Sequence, residues 1–150
     1  MTEIGGEELD STLAIAKSLE QRVLDKIDAF NARNFDPSSP IFYLKHPQWR
    51  VEMPAALSRN ELTLSELLAA FQRFIAHCPR YHLRATSFNS TVDVSEGVAD
   101  VFVDVEASGT WKGIVQRHVT LHYFKRFKGD WLHTAQCTIN GVDLEMPNAA

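Results

Sequence analysis

The chain has 150 residues, 45% hydrophobic and 23% charged, enough for one domain spanning residues 1–150 with its own core. A formal net charge of -4, with Lys and Arg scattered along the chain, excludes a general nucleic-acid binder. No apolar run reaches membrane length and the opening "MTEIGGEELD" is acidic, so a cytoplasmic protein with no membrane partner is expected.

From about Glu7 to Asn34 the pattern is that of one long amphipathic helix, with Leu13, Ala16, Val23, Ile27 and Phe30 at three- and four-residue steps. The prolines and serines of "FDPSSP" end it. A short strand is expected from Trp49 to Met53. A second helix opens at "LTLSELL", where Thr63 and Glu66 form a capping box and Leu62 and Leu67 a hydrophobic staple. Its stripe runs through Leu64, Leu67, Leu68, Phe71, Ile75 and Cys78, and Pro79 closes it. Cys78 and Cys137 have no metal or redox spacing and are expected as free thiols.

After Pro79 the period becomes two. "YHLRATSFNSTVDV", "VADVFVDVEAS", "VQRHVTLHYF" and "DWLHTAQCTIN" are four strands joined by glycine-containing turns, an antiparallel meander. His118 and His122 therefore lie on a strand. Four residues of strand separate them by ~13 Å, too far to share one ion, and no metal is expected there.

Three stretches carry a resemblance. "AFNARNFD" (29–36) is similar to the end of the first helix of SnoaL-like polyketide cyclases. "WRVEMP" (49–54) is similar to the first strand of ketosteroid isomerase. "LRATSF" with "TLHYFKRFKGDW" resembles scytalone dehydratase. Together with the element order they resemble the NTF2-like superfamily over about residues 10 to 140. The resemblance implies an α+β cone: a long N-terminal helix and a second helix packed on a curved antiparallel meander sheet. It also implies an interior pocket, no metal or organic cofactor, and an isomerase, cyclase or dehydratase acting on a small hydrophobic polyketide- or terpenoid-like metabolite in secondary metabolism.

Several positions depart from those relatives. Met53 stands where they carry an aspartate or tyrosine, and a methionine abstracts no proton. Phe30 and Asn31 replace the dehydratase's tyrosine and aspartate, and Ser87 and Ser108 fall near the places of its histidines. A non-catalytic ligand- or protein-binding module is thus the alternative function.

Alternation gives each strand two faces. One set is Ala99, Val101, Val103, Val105, Val119, Leu121, Tyr123, Ala135 and Cys137, with His133 beside them. The other is Asp100, Phe102, Asp104, Glu106, His118, Thr120, His122, Phe124, Thr134 and Gln136. Periodicity alone buries the valine set under the helices. The resemblance instead turns Thr120 and Gln136 to the pocket, leaving the valine set as a homodimer interface. In that orientation a turn centred on "GTWKG" pairs His118 with Asp104 and His122 with Asp100. An imidazole held by a carboxylate is a general acid–base, so His118, Asp104 and His122 are the catalytic candidates. Asn31, Tyr43, Trp49, Met53, Ser87, Phe102, Thr120 and Gln136 are the expected substrate contacts. Arg33 is a candidate clamp for an anionic group, and His46 and His77 read as solvated or structural.

Overall fold

A computed structural model describes residues 6–52, 61–110 and 112–138. Met53, Trp111, Ile139 and the tail "VDLEMPNAA" lie outside them. In chain order the elements are α1 (Gly6–Asn31), a 3-10 turn (Pro40–Phe42), β1 (Lys45–Glu52), β2 (Glu61–Leu62) and α2 (Leu64–His77). Then come β3 (His82–Asp93), β4 (Val98–Ser108), β5 (Gln116–Phe127) and β6 (Asp130–Thr138). One six-stranded sheet has the order β2-β1-β6-β5-β4-β3. The meander of β3 to β6 is antiparallel as expected, and β1 joins its open edge parallel to β6.

Helix α1 ends three residues before the expected Asn34. Arg33 takes a left-handed φ of 64°, while its N–H bonds Phe30 O and the Asn34 N–H bonds Ala29 O. This is the Schellman pattern, with an arginine where glycine is usual. The Arg33 guanidinium donates to Pro79 O at 2.9 Å and Tyr81 O at 2.6 Å. Arg33 is thereby a tie between α1 and the α2–β3 connection, and the expected anion clamp is corrected. The α2 capping box is present: Glu66 N–H donates to Thr63 Oγ1 at 3.2 Å and Thr63 N–H to Glu66 Oε1 at 3.1 Å.

The core has two parts. Trp49, Val51, Leu62, Leu67, Phe74 and Tyr81 gather under α2. Leu19 and Val23 of α1 pack on Val101, Val103 and Val105 of β4. A fully buried valine contributes about 1.5–3 kcal/mol over an exposed one, so this contact seats α1 firmly on the sheet. Leu13, expected on the buried stripe, is exposed.

The β4–β5 register overturns the expected division of faces. Asp104 pairs with Val119, and His118 with Val105; Asp100 pairs with Tyr123, and His122 with Val101. The difference is one residue, which transfers a whole strand's side chains to the opposite face. The valines of β4 and the histidines of β5 therefore share the inner face. Asp104 and Phe102 lie on the outer face with Val119 and Leu121, and the valine-rich interface does not exist as one surface. Gly109 brings the end of β4 against the α2–β3 connection. With φ of 77° it turns the chain where a Cβ would sit 2.0 Å from Arg80 O, so only glycine fits.

Candidate functional site

Between α1, α2 and the inner sheet face lies a cavity of about 130 Å³. Its apolar wall comes from Phe30 of α1, Leu64, Leu67 and Phe71 of α2, Trp49 of β1 and Val103 and Val105 of β4. Its polar wall comes from the sheet: His118, Thr120 and His122 at alternate positions of β5, with Gln136 and Thr138 of β6. Two further side chains enter it, Lys26 from α1 and Lys45 from β1. No aspartate or glutamate lines it among the described residues.

Of the expected site residues, the structure brings His118, His122, Trp49, Thr120 and Gln136 together at this cavity. Others are corrected. Asp104 is exposed and hydrogen-bonded to Ser87 Oγ, because β3 pairs these two residues on the outer face. No Asp104–His118 dyad forms. Phe102 is on that outer face too, opposite Leu121. Tyr43 is 72% exposed at the end of the 3-10 turn. Asn31 binds the backbone of Leu83 in both directions, donating to its carbonyl at 2.7 Å and accepting its N–H at 2.9 Å. That two-way clasp locks the end of α1 to β3, and Asn31 is not among the residues lining the cavity. His46 accepts the Gln48 N–H at 3.0 Å and packs on Phe127.

His118 is 8% exposed, and its Nδ1 is buried with no hydrogen-bond partner. Burial pushes its pKa down to about 4, so the ring is neutral at physiological pH. A buried nitrogen without a partner costs stability and is a site for a ligand proton donor or acceptor.

His122 has a different environment. His122 Nδ1 lies 3.1 Å from His133 Nε2. Lys26 Nζ lies 2.8 Å and Lys45 Nζ 2.7 Å from the other nitrogen of that ring, His133 Nδ1. His133, expected at an interface, is fully buried behind the cavity wall and stacks on Phe124 at 4.9 Å. A bulge explains the correction. Phe124 pairs with His133 and Tyr123 with Ala135, so Thr134 is the extra residue and reverses the faces of β6. The cationic groups also meet aromatic faces: Lys45 Nζ is 3.9 Å from the Trp49 ring centre and Arg22 is 5.1 Å from that of Phe124.

Burial first, then the charge of Arg22, lowers the Lys26 pKa to about 7. Burial and the charge of Lys26 hold Lys45 well below its ordinary value. Burial and the two lysines do the same to His122 and His133. The Lys26 hydrogen bond with Lys45 favours the charged form of Lys26 and the neutral form of Lys45. With an ammonium donating to His133 Nδ1, the His133 proton sits on Nε2 and is donated to His122 Nδ1. The remaining His122 proton is then on its Nε2.

The sequence reading missed Lys26, Lys45 and the inward turn of His133. Lys26 had a visible signal: Leu19, Val23, Lys26 and Phe30 follow helical steps, so one charge interrupts the apolar stripe. Lys45 and His133 had none, since a bulge and a parallel pairing place them.

The fold can now be compared with known structures. An NTF2-like protein of unknown function from Pseudomonas putida KT2440 superposes with a TM-score of 0.67 at 12% identity, covering 89% of this chain and 91% of the other. The chain has an NTF2-like fold. A protein assigned as a scytalone dehydratase from Novosphingobium aromaticivorans matches with a TM-score of 0.66 at 12% identity, over 87% of this chain and 86% of its own. The association domain of C. elegans CaMKII matches with a TM-score of 0.64 at 14% identity, over 87% of this chain and 99% of its own. No family model and no curated protein matches the sequence itself. NTF2-like folds thus serve both an enzyme-type neighbour and an assembly domain. No helix among the described residues is long and apolar enough to cross a membrane.

Proposed function

We propose that this protein is a cofactor-independent isomerase, cyclase or dehydratase that works by general acid–base catalysis on a small, mostly apolar metabolite held in the cone. The observation that carries the proposal is the buried, neutral His118 side chain at the cavity wall, whose Nδ1 has no hydrogen-bond partner. A neutral imidazole can accept a proton from a substrate carbon or hydroxyl and return it to another atom of the same molecule, consuming nothing. His122, whose tautomer leaves an Nε2–H, is the donor that polarises a substrate oxygen, as a neutral histidine can. Thr120 and Gln136 lie between and beside them as orienting groups, and Trp49 closes the apolar wall.

Cavity volume limits the substrate. An apolar cavity of roughly 150 Å³ accommodates benzene. At about 130 Å³ this cone buries the equivalent of one ring or a short branched chain, smaller than the polycyclic molecules the sequence resemblance implied. The test is turnover: His118→Ala should abolish proton transfer in a screen of single-ring and short terpenoid-like ketones and alcohols, while wild type exchanges or rearranges at least one of them. Equal rates in both would remove the catalytic reading.

A second reading, a non-catalytic binding module, is favoured by the lack of a carboxylate base among the described cavity-lining residues. For self-association we assign the outer sheet face, where Val119, Tyr123 and Ala135 form a partly exposed apolar strip, in place of the valine set. Tyr123→Asp, at an exposed position of that face, should convert a homodimer to monomer in sedimentation. A monomeric wild type would remove that assignment.

A further inference from the structure

Lys26 and Lys45 take no part in the proposed proton transfer, yet both amines are in the interior. They enter from different elements, α1 and β1, and converge on a single acceptor, His133 Nδ1, at 2.8 and 2.7 Å. A ring nitrogen has one lone pair, so it fully satisfies one of the two amines. Beyond it, among the described residues, the amines bond only each other, Lys26 as the charged and Lys45 as the neutral partner. Among the described residues the groups facing this pair are all cationic or neutral: Arg22 from α1, His122 from β5 and His133 from β6. Asp130 acts on Arg22, whose guanidinium donates to Trp131 O at 2.6 Å. Both lysines also line the cavity, whose wall holds no acid among the described residues. An interior with two amines and no counter-charge is stable only while it stays short of protons. What it lacks is an anion.

We infer that the cavity binds a small organic carboxylate, with its apolar body against Phe30, Phe71 and Trp49 and its carboxylate between the Lys26 and Lys45 amines, and that the ligand brings a proton with it. Burying the carboxylate restores the charge balance, because an adjacent anion favours the ammonium forms. Two ammonium groups on the two oxygens make charge-assisted hydrogen bonds that a neutral analogue cannot replace. His133, released by one amine, stays bonded to the other. This ligand class requires no catalysis and stands whether the protein is an enzyme or a binding module.

The probes are benzoate and benzamide, of one ring and nearly equal shape, titrated calorimetrically into the full chain at about pH 8 in two buffers of different protonation enthalpy. Benzoate should bind roughly ten- to a hundredfold more tightly than benzamide, the range for charge-assisted hydrogen bonds. Its heat should depend on the buffer in the sense of proton uptake, up to about one proton per benzoate. Lys26→Met and Lys45→Met should each remove most of the preference, whereas Lys125→Met, on an exposed residue of β5, should keep it. Should a lysine variant fail to fold, the wild-type pair of ligands and the proton count decide alone. Equal affinity for the two probes, no proton uptake, no detectable benzoate binding, or a preference that survives both lysine changes would each overturn the inference.

Discussion

His118 and His122 stand on the same face of the same strand, four residues apart, and both hold protons more weakly than free histidine, for different reasons. At His118 the cause is burial alone, and its Nδ1 has no partner. At His122 burial is joined by the charges of Lys26 and Lys45, and its Nδ1 is bonded to His133. A ring depressed by desolvation is restored by any ligand that supplies a hydrogen bond. One depressed by neighbouring cations is restored only when that charge is removed or balanced. One strand therefore presents a ring free to take a proton and a ring fixed as a donor.

The largest expected effect separates the two at the level of chemistry. His118→Ala should lower kcat by about 10²–10⁴-fold if its Nδ1 moves the proton in the transition state. Asp104→Asn should leave turnover unchanged, because Asp104 points away with Ser87. An Asp104→Asn loss matching that of His118→Ala would restore the carboxylate–imidazole dyad and refute the register.

Acid stability sharpens the same contrast. The folded pKa of His118, about 4, lies below its unfolded value of 6.5, so the unfolded chain binds the extra proton between them. Stability is full above pH ~6.5 and should fall as the pH drops toward 4, by up to about 3 kcal/mol from this ring. His118→Gln should flatten that part of a denaturant midpoint-versus-pH curve. The buried His122 and His133 should leave a residual slope of the same sign. A His118→Gln profile parallel to wild type would show that His118 is solvated.

The smallest effect is the most selective. Lys26→Met removes a cation beside His122 and His133 and should raise both of their pKa values, leaving His118 where it is. Histidine ring resonances followed through a pH titration would show it. Movement of all three rings together would mean that the lysine acts by loosening the core, and the distinction between the two histidines would fail.

Much of this architecture was legible beforehand, and the errors have one origin. The amphipathic stripe through Val23, Ile27 and Phe30, the Thr63–Glu66 box and the strict alternation of β4 are local signals. Each is decided by residues within a few positions of one another, so the helices, the four-strand meander and the grouping of His118, Thr120 and His122 on one face followed from them, while their inward position was expected from the resemblance alone.

Alternation fixes which residues of a strand share a face. It does not fix which face of one strand lies beside which face of the next, because a one-residue slip in the connecting turn reverses the match at no local cost. Tertiary contacts made that choice: α1 needs the β4 valines beneath Leu19 and Val23. With the valines held inward, Asp104 had to face outward. The bulge at Thr134 then turned His133 inward, and the parallel pairing of β1 with β6 brought Lys45 to it. The sequence by itself determined the elements and that His118, Thr120 and His122 share one face of β5; packing between elements distant in the chain determined that this face turns inward beside the β4 valines, and that lysines, not a carboxylate, are its neighbours.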